Sequence, residues 1–518
     1  GSLQEAGGIY WKDGSAWNFG RGANAGAPEF NYVKDVDYVS GAAIAIPTDI
    51  WQEMDGFDEI YAPAYCEDSD IAFRLREAGY RTLLNPASEV LHHEGRSHGR
   101  DLNSGIKAYQ VKNQQTFLER WRPVLERDHY PNAQNVLRAR DRSYYRKHVL
   151  IIDHYVPQWD QDAGSRSTFM CIKAMLGMGY AVTFWPDNLW RDPHYTPLLQ
   201  DMGVEVIYGA DYRDGFADFI RERGDLYDAV FANRPHIACH YMRHIRDNSQ
   251  ATILYYGHDL HYKRMMAAQA VGEPITNAEI TDMRRQELEV CAQAHVVLYP
   301  DQVEVDMVAQ ELGGDRDYRA LPVYAFEQET FDQSAATLTS IAGKTAHRLL
   351  FVGGFNHTPN QDGVLWLVND ILPIVQRKLG TVHLTIVGSK APQAVLALES
   401  ETIDVTGFVT DDRLAQLYDE TSLVVAPLRY GGGVKGKVIE AMALGIPMVT
   451  TPTGAQGLRD PQELMFVAND AEDFADAVVR ALTDRSEAES RARRAWDYAR
   501  SHYSMQTLED IFQDVIGR

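Results

Sequence analysis

The chain has 518 residues, 45% of them apolar and 24% charged, with a formal net charge of -23. At roughly 100–200 residues per domain, that length implies about three domains of ordinary globular composition. The acid excess, 73 Asp and Glu against 50 Lys and Arg, excludes a general nucleic-acid binder, which needs a basic surface to displace counterions, but not a local basic pocket for a phosphate. No apolar run reaches the roughly 18–20 residues of a membrane span, and the first residues do not read as a signal segment. Cys66, Cys171, Cys239 and Cys291 are scattered, without a CxxC pair, and suit reduced thiols better than disulfides or a zinc site. These features predict a cytoplasmic multidomain protein.

Residues 1–130 form a first block, rich in glycine and aromatics early and helical late. Gly1-Ser2 leads into no strand or phosphate loop, so the sequence reads as opening in the middle of a domain. Tyr38–Ile46 (YVSGAAIAI) is predicted to be a buried strand ended by Pro47. Asp68–Ala78 predicts a helix, with Ile71, Leu75 and Ala78 on one face and Gly79 just past its end. Residues 131–147 are polar, locally basic and weakly periodic, and read as a linker or connecting helix.

Strand-helix alternation begins at His148, with HVLIIDHYV, AVTFWPD, VEVIYG, YDAVFAN and ATILYYG as strands. This unit, 148–325, gives way to residues 326–346, which are polar and aperiodic and read as a second linker. A second alternation fills 347–518, through RLLFVGG, VHLTIVGS, IDVTGFV, SLVVAPL and IPMVTT. Alternating elements predict doubly wound parallel sheets. Two such domains in tandem make a cleft, and ligands in such sheets bind beyond the carboxyl ends of the strands.

The most informative segment is SLVVAPLRYGGGVKGKVIEAMALGIPMVTTPTGAQGL, residues 422–458. Ser422–Leu428 reads as a strand, Gly431–Gly433 as an open loop, and Val434–Leu444 as a helix with Val434, Val438 and Met442 at core spacing. A glycine loop entering a helix N-terminus offers unpaired N–H groups to an anion. Lys435 and Lys437 fall in the predicted first turn, where a cation is disfavoured by roughly 0.3–1 kcal/mol unless an anion binds. Lys437 and Glu440, three apart, share a face. An ammonium for phosphate beside a carboxylate for a ribose diol would grip a sugar nucleotide. The same spacing also suits a plain glycine turn with two solvated lysines and a surface ion pair.

This stretch, with FVGGFNHTPNQDGVLWL, HLTIVGS and VTGFVTDDRLAQLYDETSLVVAPLRYGGG, resembles the donor-binding signature of family-four glycosyltransferases over most of 347–500. The resemblance implies the GT-B fold, two Rossmann-like domains facing a cleft, and transfer with retention. It implies that Glu440 holds the ribose and that Gly432–Lys437, with Gly433, Val434, Lys435 and Lys437, cradles the diphosphate. It places Phe408, after Gly407, against the base, and Gly354 and Asn360 among the donor contacts. Two departures stand out. Gly432 occupies the position, eight before Glu440, where many members carry a second glutamate, and GGFNHTPN lacks the Arg and Lys many carry after the first strand. In the facing domain the resemblance brings Gly164 and Arg166 of AGSR towards the donor phosphates, with an ordinary turn capped by Ser165 as the alternative. It puts His258 of YYGHDLHYKR near the reacting sugar, where His258 could equally be a satisfied loop histidine and Asp259 a helix cap. Chemistry of this kind needs mainly positioning and stabilisation of the departing diphosphate.

In the first block, VDYVSGAAIAIPTDIWQEMDGFDEIYAPAYCEDSDIAFRLREAGYRTLLNPASEVLHHEGRS resembles the C-terminal half of a family-two glycosyltransferase, a GT-A fold. The resemblance implies a general base at Glu67-Asp68, with Asp68 favoured. Acids in a first helical turn are also stabilised by the helix dipole alone. It further implies His92, beside His93, as a metal-binding histidine. A divalent metal would belong only to a complete GT-A domain, whose nucleotide-binding half should precede residue 1, so this block is expected to be inactive in this chain.

The resulting expectation is a bifunctional bacterial glycosyltransferase. It would use a UDP, GDP or dTDP sugar, need no cofactor for its GT-B part, and act on a glycan or lipid-linked glycan acceptor. O-antigen or capsule synthesis at the inner face of the cytoplasmic membrane is the implied setting, with a peripheral contact through Tyr144–Lys147. The rivals are a GT-B epimerase or phosphorylase, and a non-catalytic glycan-binding or scaffolding module.

Overall fold

The computed structural model describes residues 2–92, 108–270, 273–314, 316–340 and 347–517. His93 and residues 341–346 of the expected second linker lie outside the described residues. The chain divides into two compact units: Gly1–Val156 with Leu176–Phe231 and Tyr241–Ala251, and Pro157–Met175 with Ala232–His240 and Thr252–Arg518.

In the first unit, β1 (Gly8–Tyr10) pairs antiparallel with β2 (Ala16–Asn18), and β3 (Lys34–Asp35) with β4 (Leu83–Leu84). The helix Glu67–Glu77 buries Ile71, Phe73 and Leu75, and Phe73 packs with Tyr10, Phe117 and Trp121. Ala78 is exposed, outside the buried face expected for it. Tyr38–Ile46 is not a strand. Tyr38 makes one bridge to Gly8, and the chain then turns at Ser40–Ala43. The reason is that the Ser40 and Gly41 amides donate to the Glu5 and Asp68 carboxylates, and an amide committed to a side chain cannot feed a ladder.

Residues 131–147 contain a short helix, Val136–Ala139, followed by buried Arg140, Asp141 and Ser143. Arg140 Nη2 donates to Glu205 Oε2 at 2.6 Å, and Arg223 Nη1 to Glu205 Oε1 at 2.9 Å. Burial works to raise the Glu205 pKa, but the two guanidiniums outweigh it and hold the carboxyl down at about 2. Near the same segment, Arg146 donates to the Gly179 and Tyr180 carbonyls, Lys147 lies 3.4 Å from Asp228, and Tyr145 is exposed.

The chain carries a seven-stranded and a six-stranded parallel sheet. All ten strands read from the sequence for these two domains are present, but the edge strands Asp317–Ala320 and Phe466–Val467 were not read. In the first unit, β5 (His148–Asp153), β6 (Ala181–Pro186) and β7 (Glu205–Val206) pair in parallel, and β8 (Ala229–Asn233) follows. In the second, β9 (Thr252–Tyr256), β10 (Val296–Tyr299) and β11 (Asp317–Ala320) pair in parallel. The six-stranded sheet comprises β12 (Arg348–Val352), β13 (His383–Val387), β14 (Ile403–Gly407), β15 (Leu423–Ala426), β16 (Met448–Thr450) and β17 (Phe466–Val467). Its order is β14-β13-β12-β15-β16-β17, and the strand order reverses between β12 and β15, the point at which such sheets bind ligands. Apolar clusters cover it, one including Val438, Ile439 and Met442, the other Phe351, Trp366 and Phe474.

Where residues 326–346 read as aperiodic, the structure has a helix, Gln328–Ser340. Phe331, Ser334 and Leu338 are buried along it. Ser334 was invisible as a core position because its hydroxyl is satisfied at a distance, donating to the Ala443 carbonyl and accepting from Trp496 Nε1, both at 2.8 Å. In the last helix, Met505–Ile516, Asp514 pairs with Arg319 of β11 at 2.5 Å. Among the described residues, no helix is long and apolar enough to cross a membrane.

Candidate active site

The second unit contains the residues singled out for donor binding. β15 is buried throughout and delivers the chain to the glycine loop. Gly431 and Gly433 have φ of 122° and 69°, in the left-handed region that glycine enters without a Cβ penalty. The helix that follows is Gly436–Ala443, two residues shorter at its start than predicted. Lys435 is extended at the cap position, and its ammonium folds back onto the Gly432 and Gly433 carbonyls at 2.6 and 2.5 Å. Only Lys437 therefore lies in the first turn. Gly436 meets the Tyr324 ring so closely that an added Cβ would sit 2.1 Å from Cζ.

Lys437 leaves the helix towards the loop after β12. Its Nζ donates to Asn360 Oδ1 at 2.5 Å and lies 4.6 Å from the centre of the Phe351 ring, while Asn360 Nδ2 donates to the Gly354 carbonyl at 2.7 Å. Gly354, Asn360 and Lys437 are thus brought together. Burial pushes the Lys437 ammonium down to about 7, with repulsion from Lys435 adding to it. Lys435 is pushed by burial to about 8, against the attraction of Glu304, Asp259 and Asp301.

Glu440, one helical turn beyond Lys437, accepts from the Tyr418 hydroxyl at 2.9 Å, and Arg166 Nη2 stands 4.0 Å from its other oxygen. Arg166 also lies over the Tyr324 ring, 5.5 Å from its centre. Arg166 projects from the first turn of the helix Ala163–Gly177. Ser165 does not cap that helix. Asp162 takes that role, accepting the Ser165 N–H at 2.8 Å and its hydroxyl at 2.7 Å, because a carboxylate before the helix satisfies orphan amides that a side chain within the first turn does not face.

His258 follows β9 with a φ of 65°. Its Nε2 is 3.1 Å from Asn233 Oδ1, and its ring packs on Tyr256. Asp259 is occupied by His261 at 2.9 Å and Arg264 at 2.5 Å. The Leu260 N–H donates to Glu304 Oε1 at 3.0 Å, and burial raises the Glu304 carboxyl to about 8. Val434 is half-buried against the domain core. Phe408, after β14 and Gly407, is 67% exposed, a bare ring of the kind a base can stack on. Gly432 is exposed and has open space where a side chain would stand.

Asp68 and His92 lie in the first unit. Asp68 Oδ1 accepts the Ser69 N–H at 2.7 Å and Oδ2 the Gly41 N–H at 2.9 Å. Burial raises Glu5 to about 7, opposed by the Ser40 amide and reinforced by Asp68. His92 is exposed and its Nδ1 lies 2.9 Å from Gln4 Oε1. Among the described residues, no three His, Cys, Asp or Glu converge on a metal-sized site. One exposed histidine does not match the several ligands a divalent cation takes.

Sequence reasoning missed Tyr418, Tyr324, Asn233, Arg234 and Glu304. For Tyr418 a signal existed: it lies four residues after Leu414 on the helix Asp411–Glu420, on the face that turns inward. Chemically, the unit offers a fixed carboxylate for a diol, an ammonium and glycine loop for a diphosphate, and an imidazole, His258.

Residues 346–484 match the family described as glycosyl transferases group 1. Among curated relatives, an uncharacterized 44.6 kDa protein in the cps region of Klebsiella pneumoniae is 26% identical over 175 residues, 32% of this chain and 45% of that protein. An N-acetylglucosaminyl-diphospho-decaprenol L-rhamnosyltransferase of Mycobacterium tuberculosis is 36% identical over 85 residues, 16% of this chain and 27% of its own, and carries the N-terminal similarity. The chain spans less than half the length of these relatives. Among solved structures, Anabaena Alr3699/HepE in complex with UDP-glucose superposes with a TM-score of 0.51 at 14% identity, over 71% of this chain and 99% of that one. Residues 346–484 thus match a glycosyl transferases group 1 domain, in a chain with the GT-B architecture of two parallel-sheet, Rossmann-like domains.

Proposed function

We propose that the chain transfers a sugar from a nucleotide-diphosphate donor to a glycan or lipid-linked glycan acceptor, with retention of configuration. The observation that carries this reading is Glu440, fixed by Tyr418 and faced by Arg166, one helical turn from Lys437 and its glycine loop. A carboxylate with both oxygens oriented suits the two hydroxyls of a ribose, and the open amides of the loop with Lys437 suit the diphosphate. UDP-glucose in the Anabaena structure supports a sugar-nucleotide donor. The cps-region relative supports a setting in surface polysaccharide synthesis, and the rhamnosyltransferase named for a decaprenol-linked acceptor supports action close to a membrane, which we place at the cytoplasmic face.

In this reaction the donor's leaving phosphate takes the acceptor proton on the face where the new bond forms. Lys437, with Lys435 and the loop amides, stabilises the charge that develops on the diphosphate. His258, held by Asn233, is assigned to the sugar side. In the first block Asp68 is the candidate base and His92 the candidate metal residue of a GT-A-type transfer that only a complete GT-A domain would perform. No step of the proposed reaction runs through a metal.

The test is calorimetric titration with UDP, GDP and dTDP, repeated on Glu440→Ala. One nucleotide should bind with micromolar affinity, weakening at least about tenfold in the variant, as expected for a charged hydrogen-bond partner. Absence of binding, or equal binding by the variant, refutes the donor reading and favours a non-catalytic glycan-binding module. Release of an altered nucleotide sugar without acceptor identifies an epimerase.

A further inference from the structure

We propose that Tyr324 is a positioning residue of the donor site: its ring holds the Arg166 guanidinium at a standoff from Glu440 that leaves the carboxylate open to the ribose diol, and so sets the preference for a ribonucleotide over its 2′-deoxy form. This rests on the reading of Glu440 as the ribose-holding carboxylate and extends it to a residue that acts through another.

The first argument is placement. Tyr324 lies four residues beyond β11 and packs against the apolar cluster that contains Val438, Ile439 and Met442. Its ring rests on Gly436, the first residue of the helix that carries Glu440, where an added Cβ would overlap it, 2.6 Å from Cε2. The Arg166 guanidinium lies over the same ring, 5.5 Å from its centre, within the range at which an aromatic face attracts a cation. Tyr324 therefore touches both the helix that presents Glu440 and the cation that faces Glu440. An arginine side chain has many rotamers to lose when it is held in one place. Among the described residues, the Arg166 guanidinium has one ion pair, to Glu440, and one ring contact, to Tyr324. The ring is the surface that restricts it.

The second argument is the distance. Arg166 Nη2 stands 4.0 Å from Glu440 Oε1, whereas the Tyr418 hydroxyl donates to Oε2 at 2.9 Å. A guanidinium that hydrogen-bonds a carboxylate closes to about 2.7–2.9 Å, so Arg166 attracts Glu440 without occupying its oxygen. A carboxylate has about four lone-pair sites. Tyr418 takes one and Arg166 none, which leaves both oxygens able to accept from ribose hydroxyls. An advance of about 1 Å would turn the contact into a hydrogen-bonded ion pair and cover the oxygen that the diol needs.

The third argument is the residue type at 436. Gly436 is not among the glycines with positive φ, so its backbone does not call for glycine. What its missing side chain supplies is room for the Tyr324 ring.

The experiment measures, by calorimetry, UDP against 2′-deoxy-UDP, or GDP against 2′-deoxy-GDP where guanine is preferred, on wild type, Glu440→Ala, Tyr324→Phe, Tyr324→Leu and Gly436→Ala, with thermal unfolding of each. Wild type should bind the ribonucleotide at least about tenfold more tightly than the deoxy form, as expected for a hydroxyl on a charged acceptor, and Glu440→Ala should bring the two within about threefold. Tyr324→Leu removes the ring and Gly436→Ala displaces it, so each should cut the ratio roughly threefold or more. Tyr324→Phe, which keeps the ring, should keep the wild-type ratio. Equal loss for both nucleotides in Tyr324→Leu, as a purely structural role would give, overturns the proposal. So does an unchanged ratio in Tyr324→Leu, or a lost one in Tyr324→Phe. If Tyr324→Leu does not fold, the ratio in Gly436→Ala decides. If Glu440→Ala loses the preference and the ring variants keep it, only the Tyr324 assignment fails. If wild type shows no ribose preference, or Glu440→Ala retains it, the ribose reading of Glu440 fails and this one with it.

Discussion

Lys437 makes nucleotide binding fall as pH rises from 7. Its burial against Phe351 and Asn360 pushes the free ammonium down to about 7, whereas a bound diphosphate favours the charged form. Binding therefore takes up a proton wherever the free lysine is neutral: the affinity is intact below pH 7 and lost progressively above it. About half the ammonium is formed at pH 7 and about 3% at pH 8.5, so the association constant should fall roughly fifteenfold across that interval. Lys435, pushed to about 8, deepens the fall by a further factor of about four if it too must be charged. The ligand is fully ionised over this range, since phosphate groups titrate near pH 6. The assay is calorimetry at pH 7, 7.75 and 8.5 in two buffers of different ionisation enthalpy, which counts the protons taken up. Lys437→Arg, charged throughout, should show a flatter profile. Glu304, raised to about 8, also gains charge in this window, but it does so in Lys437→Arg as well and cancels in the comparison. A wild-type affinity independent of pH, or an equal decline in Lys437→Arg, refutes the reasoning.

Three further outcomes follow from the packing. Phe331→Ala, in the segment that reads as a linker, removes a fully buried ring and should cost about 3–5 kcal/mol in chemical denaturation. A cost near zero would mean that the helix Gln328–Ser340 is not part of the core. Glu205→Gln removes the buried anion that Arg140 and Arg223 share, leaving them only Glu29 at 3.3 and 3.5 Å, and should destabilise the first unit by up to about 3–5 kcal/mol, read from tryptophan fluorescence. Gly432→Glu faces open space and should leave the thermal midpoint and nucleotide affinity as in wild type, while changing the rate of transfer or donor hydrolysis. A drop in midpoint would show that the loop cannot hold a side chain there.

The parallel strands were legible because their burial is nearly continuous. HVLIID, LLFV and LVVA read as runs of apolar residues, and the structure buries β5 and β15 completely, as sheets covered on both faces require. Tyr38–Ile46 misled by the same logic, since apolar composition is silent about whether backbone amides are claimed by Glu5 and Asp68. The helix Gln328–Ser340 was lost because Ser334, a core residue, looks polar until Ala443 and Trp496 supply its partners. The candidate site divides along the same line. Gly431 and Gly433 announce an unusual backbone through residue type, and both adopt positive φ, so the loop could be read from its letters. Arg234 and His258 adopt positive φ as well, but nothing about an arginine or a histidine encodes that conformation, which costs about 1–3 kcal/mol and is held only by surrounding structure. Their shared anchor is tertiary: the Tyr256 carbonyl takes the Arg234 amide, and Asn233 takes the His258 ring. Each strand end thus fixes the other, and neither position would be strained without its neighbour. For that reason the half of the site built on a glycine loop was visible in the sequence, while the half built on paired strand ends was visible only once the strands were in register.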